Sequence, residues 1–220
     1  MWGSIPTDVG NLEDLKYFLF YSVNLTGTIP DEVENMNSIA QFNADGNNLT
    51  GSIPTTIGSW QYITSLDLGN NMLSGRIPES IGRFRSNMVD LLLNNNNLAG
   101  SIPEELFQLT FMSTLDLSQN RLTGTISSSI SKLSVSLQIV SLEENNLSGT
   151  VPPSLGNLSM AASIELWANN FRGSMPESVC MLKLQDLAAD CRSNSSGWTQ
   201  VECNCCTFCC EPDGTNCAKF

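Results

Sequence analysis

Apolar residues recur along this chain with a fixed period of 24 or 25 residues. In one period, Leu66 and Leu68 alternate with Asp67 and Gly69. That alternation is typical of a β-strand with one buried face. A polar turn and a glycine, Gly75, follow the strand. Each period therefore predicts one strand and a turn that returns the chain beside the preceding strand.

The tetrapeptide Gly-x-Ile-Pro marks this period. Five copies and three altered copies begin at Gly3, Gly27, Gly51, Gly75, Gly100, Gly124, Gly149 and Gly173. The steps between these glycines are 24, 24, 24, 25, 24, 25 and 24 residues, a register that chance does not hold. The two extra residues fall near 84–87 and 134–136, in the outer segment where a bulge costs least. Self-similarity at this period indicates stacked repeats.

Most of the repeated residues are expected to build the scaffold. One asparagine per turn can bond backbone groups of its own and the adjacent turn, which would otherwise lack partners. Val23 takes this position in the first turn; the asparagines are Asn47, Asn71, Asn96, Asn120, Asn145 and Asn169. In the same way, the core of one turn is completed by Ile53, Ile57, Trp60 and Ile63.

The unit from Ile53 to Gly75 closely resembles the plant-type leucine-rich repeat, LxxLxxLxLxxNxLxGxIPxxLGx, and the resemblance covers about residues 2–190. It implies an α/β-type leucine-rich-repeat solenoid, a right-handed horseshoe. A parallel sheet of about seven strands would line the concave side, opposite an irregular or 3-10 convex side. We expect the solenoid over residues 1–190 and a cysteine-rich cap or tail over residues 191–220.

All eight cysteines lie after residue 179, and the repeat stops after Asp190. The even count favours disulfides, although eight cysteines allow 105 pairings. Two alternatives are a zinc cluster, because Cys206-x-x-Cys209 has ligand spacing, and lipidation of adjacent cysteines. The resemblance implies a cap that covers the last turn. The disulfide candidates are Cys180, Cys191, Cys203, Cys205, Cys206, Cys209, Cys210 and Cys217.

The cysteines and the Asn-x-Ser/Thr triplets together favour a secretory route. The N-terminus lacks the basic start and apolar stretch of a signal peptide, and no apolar run is long enough to span a membrane. We therefore expect that a signal or anchor is missing from this chain, and a cytoplasmic protein is the alternative. The candidate glycosylation sites are Asn24, Asn48, Asn146, Asn157 and Asn194.

The resemblance also implies that ligands meet the concave sheet through outward-facing residues. Four columns of such residues can be aligned from turn to turn. They hold seven acidic and no basic residues, and three aromatic residues of the kinds enriched at binding hot spots. The predicted binding residues are Tyr17, Tyr21, Asp45, Asp67, Asp90, Asp116, Glu143, Glu144, Glu165 and Trp167.

Charge and composition narrow the function. A formal net charge of -12 disfavours nucleic acid and favours a basic protein or peptide partner. Histidine is absent, which removes Ser-His and Cys-His nucleophile activation, and no catalytic or cofactor motif is present. We therefore expect that this chain is not an enzyme and binds no cofactor. The leading interpretation is a receptor-like recognition module acting in signalling or defence. The alternatives are a secreted inhibitor resembling plant proteins that block pectinases, and a wall- or ice-binding repeat protein.

Overall fold

The chain forms a solenoid whose consecutive turns stack side by side. A computed structural model describes residues 3–84, 87–191 and 201–211 and the backbone of residues 218–219. Ten strands make one sheet, in which all neighbours pair in parallel except the last two. These strands are Tyr17–Leu19, Gln41–Asn43, Ser65–Asp67, Asp90–Leu92, Thr114–Asp116, Ile139–Ser141, Ser163–Glu165, Asp186–Ala189, Phe208–Cys209 and Ala218–Lys219.

The parallel sheet of the concave side is thus confirmed, but the expected seven strands are too few. The repeat pattern supplies the first seven strands of this sheet. The terminal turn, which the repeat also predicts, supplies the eighth strand, Asp186–Ala189. The tail supplies the last two strands, which the period of the sequence does not mark. The tail therefore continues the concave sheet, and the boundary placed between residues 190 and 191 stays a prediction based on composition.

A second set of strands and short helices complete each turn. The second set of strands, in sheets of three, five and two, is Gly3–Ser4, Leu25–Gly27 and Asn48–Leu49, then Ser74–Gly75, Asn97–Gly100, Arg121–Gly124, Asn146–Gly149 and Asn170–Phe171, and finally Gly173–Ser174 and Val201–Glu202. The convex side carries the 3-10 helices Thr7–Asn11, Asp31–Asn35, Thr55–Ser59, Glu79–Arg83, Glu104–Gln108, Ser128–Leu133 and Pro153–Asn157, and the α-helix Glu177–Cys180.

The core runs along the whole stack. Leu66 and Leu68 are 1% exposed, and so is Trp60, as the alternation and the period predict. Aromatic rings also stack through successive turns. The ring centroids of Phe42 and Trp60 are 5.2 Å apart, and those of Trp60 and Phe84 are 6.3 Å apart. The Trp60 indole N–H donates to the Val33 carbonyl at 2.7 Å, so its buried polar group has a partner.

The six asparagines form a buried ladder between turns, as predicted. The Asn120 amide donates to the carbonyls of Leu117 and Ser118 in its own turn, at 3.2 and 3.0 Å. It also donates to the Leu93 carbonyl in the preceding turn, at 2.9 Å. Its Oδ1 accepts from the Leu98 N–H at 2.9 Å. Each ladder asparagine therefore serves only its own turn and the turn before it.

The glycine of the Gly-x-Ile-Pro motif recurs because its backbone adopts a left-handed conformation. Gly75 has φ of 81°, and the other motif glycines from Gly27 to Gly173 have φ between 78° and 88°. A side chain is strained in this left-handed region, whereas glycine enters it freely. The proline that follows, such as Pro54, lies in extended backbone directly before a 3-10 helix. The motif thus turns the chain from the short strand onto the convex side.

Disulfides bind the tail to the last turn, in agreement with the favoured interpretation of the cysteines. The pairs are Cys180–Cys205, Cys191–Cys209 and Cys203–Cys206. Cys210 is also disulfide-bonded, and Cys217 lies outside the described residues. The zinc alternative required thiolates at Cys206 and Cys209, and each of these sulfurs is instead bonded to a different cysteine.

Among the residues that the structure describes, no helix has the length and the apolar character needed to cross a membrane.

Candidate functional site

The concave strands align the predicted columns in register. Thr114 pairs with Asp90 on one side and with Ile139 on the other, and Asp116 pairs with Leu92 and Ser141. The same register continues through the first seven strands. Residues of one column are therefore neighbours at about 4.8 Å along the face.

Only two of the four columns lie within strands. The third and fourth columns follow the strand ends, and every residue of the fourth column has a left-handed backbone. The four aligned columns are therefore not all strand positions, because the chain already turns inward at the fourth. These left-handed residues are Ser22, Gly46, Asn70, Asn95, Gln119, Glu144 and Ala168.

The seven acidic residues of the aligned columns together form the acidic face. In its N-terminal half, amide groups donate hydrogen bonds to the carboxylates. Asp67 accepts from the Asn43 side chain at 3.0 Å and from the Gly69 N–H at 3.1 Å. Asp45 accepts from the Asn70 side chain at 2.8 Å. Burial raises the pKa of Asp67, and the charge of Asp45 adds to that effect. These carboxylates are positioned by neighbouring turns.

Farther along the face, Glu143 is the most perturbed carboxyl group. Burial raises the pKa of Glu143 to about 7, and the negative charges of Glu165 and Asp116 act in the same direction. Its Oε2 atom is buried and has no hydrogen-bond partner among the described residues. Asp116 differs, because it accepts from the Ser118 N–H at 3.0 Å and from the Ser118 hydroxyl at 2.7 Å. The acidic face is therefore less charged at neutral pH than its composition indicates.

The remaining predicted acidic residues are more exposed or lie at the C-terminal end. Glu144 is exposed and accepts from the Gln119 side chain at 2.9 Å. Asp90 is half-buried in the first column. Glu165 accepts from the Trp167 indole N–H at 3.2 Å, so the carboxylate and the ring hold each other in place.

The aromatic residues lie at opposite ends of the face. Tyr17 is 58% exposed and Tyr21 is 59% exposed, next to the exposed Leu19 and Phe20 at the N-terminal end. Trp167 is half-buried at the C-terminal end. The structure therefore does not bring the predicted aromatic anchors together.

Sequence reasoning missed a depression beside Trp167. Its volume is about 280 Å³, and it lies where the tail strand joins the concave sheet. It depends on the tail, whose strand position is not encoded in the 24-residue period. The lining residues are Glu165, Trp167, Asp186, Ala188, Phe208 and Cys210.

The candidate glycosylation sites are mostly open to solvent. Asn24, Asn146 and Asn157 are exposed, and Asn48 is half-buried. Asn194 lies outside the described residues. Asn24, Asn48 and Asn146 each follow the ladder position directly, so they repeat the same place in the turn.

The raised pKa of Glu143 predicts a pH-dependent stability. A carboxyl group whose pKa is higher in the folded chain contributes stability below its unfolded pKa, and this contribution is lost as pH rises through about 7. We expect Glu143→Gln to be more stable than the wild type at pH 8, by about 1 kcal/mol after allowance for partial exposure. Urea unfolding at pH 5 and pH 8 measures the difference.

Glu144→Gln is the matched control, because its carboxylate is the exposed neighbour. Its stability relative to the wild type should change by less than about 0.3 kcal/mol between the two pH values. The gain in free energy of unfolding of Glu143→Gln over the wild type should grow from pH 5 to pH 8. A gain that stays constant or shrinks over this range would contradict the raised pKa of Glu143.

Comparison with known proteins identifies the repeat. The family model described as Leucine Rich Repeat matches residues 62–84, 87–109, 112–133 and 136–158. No curated protein matches the chain. The leucine-rich-repeat ectodomain of the Arabidopsis receptor kinase HAESA, solved with an N-terminally extended IDA peptide hormone, is similar. The two are 33% identical with a TM-score of 0.80, over 86% of this chain and 32% of that one.

Two other solved structures extend the comparison. A chain of the BIR3–SERK2 complex from Arabidopsis thaliana is 32% identical, with a TM-score of 0.54, over 61% of this chain and 70% of that one. A plant ice-binding protein, 23% identical over 91% of this chain and 76% of that one, shares the fold with a TM-score of 0.68. The chain spans about a quarter to two fifths of the length of the receptor chains that it matches, among them HAESA.

Proposed function

Since this chain belongs to the leucine-rich-repeat family, we propose that it is a non-catalytic recognition module whose concave face binds a protein or peptide ligand. One observation carries the proposal: the aligned columns hold seven acidic residues and no lysine or arginine. A face of one charge attracts and orients a partner of the opposite charge. The similarity to an ectodomain that was solved with a peptide hormone supports a ligand of this class.

The proposal includes an extracellular setting, as a receptor-like ectodomain or a part of one. Disulfides persist in oxidising compartments and are rare in the cytosol. Cys180–Cys205 and Cys191–Cys209 join the tail to the last turn, and Cys203–Cys206 closes a loop within the tail. The C-terminal end of the solenoid therefore depends on oxidation. The exposed sequons at Asn24, Asn146 and Asn157 are compatible with the same route.

Selection of peptide ligands tests the proposal. Panning of a random peptide display library against the oxidised chain should enrich sequences rich in arginine and lysine. Association of a selected peptide should slow as salt rises, because the Debye length falls from about 10 Å at 0.1 M to about 3 Å at 1 M. The double variant Asp90→Asn/Asp116→Asn should lower the association rate about threefold or more at 0.1 M salt, with a smaller change in the dissociation rate.

A convex-side variant provides the matched control. Glu32→Gln/Glu104→Gln removes two charges from exposed positions in 3-10 helices on the opposite side. Its association rate should stay close to that of the wild type. If the convex variant slows association as much as the concave variant, or if the selected peptides bind independently of salt, the concave face is not the recognition surface.

Ice or wall binding is the second candidate, because a plant ice-binding protein shares the fold. Hydroxyl groups do recur along the second set of strands, at Ser74 and Ser148, and at Thr50 directly after one of them. Each of them donates to a glycine carbonyl of the preceding turn, at 3.2 to 3.3 Å. An ice-binding chain would show thermal hysteresis, whereas the recognition module proposed here should show none.

A further inference from the structure

One small side chain creates the depression at the C-terminal end of the concave face. Ala188 pairs with Glu165 on one side and with Phe208 on the other, so these three residues occupy one column in adjacent strands. Glu165 and Phe208 are therefore separated by about twice 4.8 Å, and only a methyl group lies between them. Trp167 and Cys210 line the depression toward the turn, and Asp186 lines it at the strand start.

The walls of the depression are fixed rather than adaptable. The strand that carries Phe208 is held by a bond from the Cys210 N–H to the Ala189 carbonyl, at 3.0 Å. The disulfide between Cys191 and Cys209 joins that strand to the end of the preceding one. On the opposite wall, the Trp167 indole N–H donates to Oε2 of Glu165. A ligand group would thus meet a preorganised site, which lowers the entropy lost on binding.

The chemistry of the lining selects a planar cation. Two carboxylates, Glu165 and Asp186, lie beside two aromatic rings, Trp167 and Phe208, and those lining residues that the structure describes include no lysine or arginine. A guanidinium group combines a fork of N–H donors for carboxylates with a flat face that stacks on aromatic rings. A lysine ammonium offers neither a fork nor a flat face.

The size of the depression points to one side chain. Its volume of about 280 Å³ lies just below the range of pockets that enclose whole small molecules. An open depression at one end of an extended face can receive a side chain while the peptide backbone continues along the columns.

We propose that this depression is a subsite that binds the guanidinium group of an arginine side chain of the ligand. The inference rests on the proposed function, because it adds a specificity determinant to the concave recognition face. In the bound state, Oε1 of Glu165 and the carboxylate of Asp186 accept guanidinium N–H groups, and the Trp167 ring covers one face of the cation. Glu165 keeps its bond to the Trp167 indole N–H.

The test uses N-acetyl-arginine methylamide as the probe and its citrulline analogue as a neutral control of the same shape. Both are titrated into the oxidised, ¹⁵N-labelled chain, and the indole N–H resonance of Trp167 is followed, assigned with Trp167→Phe. The arginine probe should produce a saturable shift with a dissociation constant in the millimolar range, and the citrulline probe should bind at least about tenfold more weakly.

Ala188→Leu is designed to fill the subsite without disturbing the sheet. Leucine already occupies this column in two other turns, as Leu19 and Leu92. The variant should weaken arginine binding at least about tenfold, and Glu165→Gln should weaken it by a similar factor while an amide oxygen still accepts from Trp167. Ser141→Leu, in the same column two strands before Ala188, is the matched control and should not change the dissociation constant.

The outcomes separate this inference from the proposed function. If the arginine and citrulline probes bind equally, or if Ala188→Leu leaves arginine binding unchanged, the subsite assignment is overturned. The library-derived peptides and the Asp90→Asn/Asp116→Asn variant would then still report on the concave face as a whole. Loss of arginine binding in Ala188→Leu and its retention in Ser141→Leu would establish the subsite.

Discussion

Replacement of Asn120 by alanine should lower the free energy of unfolding by about 3 kcal/mol or more. Its side chain makes four hydrogen bonds to backbone groups of two turns, and it is 8% exposed. The variant leaves the Leu98 N–H without an acceptor and three carbonyls without this donor. Buried polar groups that lose a partner cost about 1–3 kcal/mol each, and some of the carbonyls retain other bonds. Urea unfolding followed by circular dichroism and tryptophan fluorescence measures the change.

Asn170→Ala is the control for this prediction. Asn170 is exposed on a short strand, and the described residues include no hydrogen-bond partner for its side chain. Its replacement should change stability by less than about 0.5 kcal/mol. Similar losses in the two variants would show that the asparagine ladder does not hold the turns together. Two probes are needed because repeat arrays can unfold in parts.

Removal of the Cys180–Cys205 disulfide should have the second large effect. While the Cys191–Cys209 bridge is intact, the Cys180–Cys205 bond closes a loop that runs through that bridge. The loop contains 11 residues from 180 to 191 and 4 residues from 205 to 209, together about 15. Loop-closure entropy for that length predicts a loss of about 3 kcal/mol in Cys180→Ser/Cys205→Ser. Denaturant unfolding of the double variant measures the loss, after mass spectrometry has verified that the other bridges are formed.

The Cys203–Cys206 bond is the natural comparison. Its sequence separation is 3 residues, so Cys203→Ser/Cys206→Ser should lose only roughly 1.5 kcal/mol. A larger loss in this second variant would mean that the short loop shapes the tail, and that the Cys180 bond is not the main attachment. The comparison thus identifies which bridge holds the tail against the solenoid.

The period of the sequence predicts those parts of the fold that depend on neighbouring turns. The pairing of Thr114 with Asp90, the burial of Trp60 and the bonds of Asn120 all follow from one repeated pattern. The short second strands were not predicted, because segments such as Asn48–Leu49 pair through two residues and carry no alternation of their own.

Features that depend on several turns at once could not be read from the repeat. Ser22 and Ala168 have left-handed backbones although neither residue type favours that region, so the turn imposes the conformation on them. The high pKa of Glu143 arises from burial between carboxylates of adjacent turns. The arginine subsite requires the tail strand, whose position depends on one disulfide pairing among many.

Each ladder asparagine bonds only to its own turn and to the preceding turn. One turn can therefore be added or removed as a unit. A duplicated segment of 24 residues would bring its own asparagine, motif glycine and strand, and every new contact would repeat an existing one. Recombination within the gene could thus lengthen or shorten the recognition face by about 4.8 Å per turn. The arginine subsite would be unchanged, since the last two turns and the tail build it. The length of the ligand and its arginine side chain at this subsite could therefore evolve as separate traits.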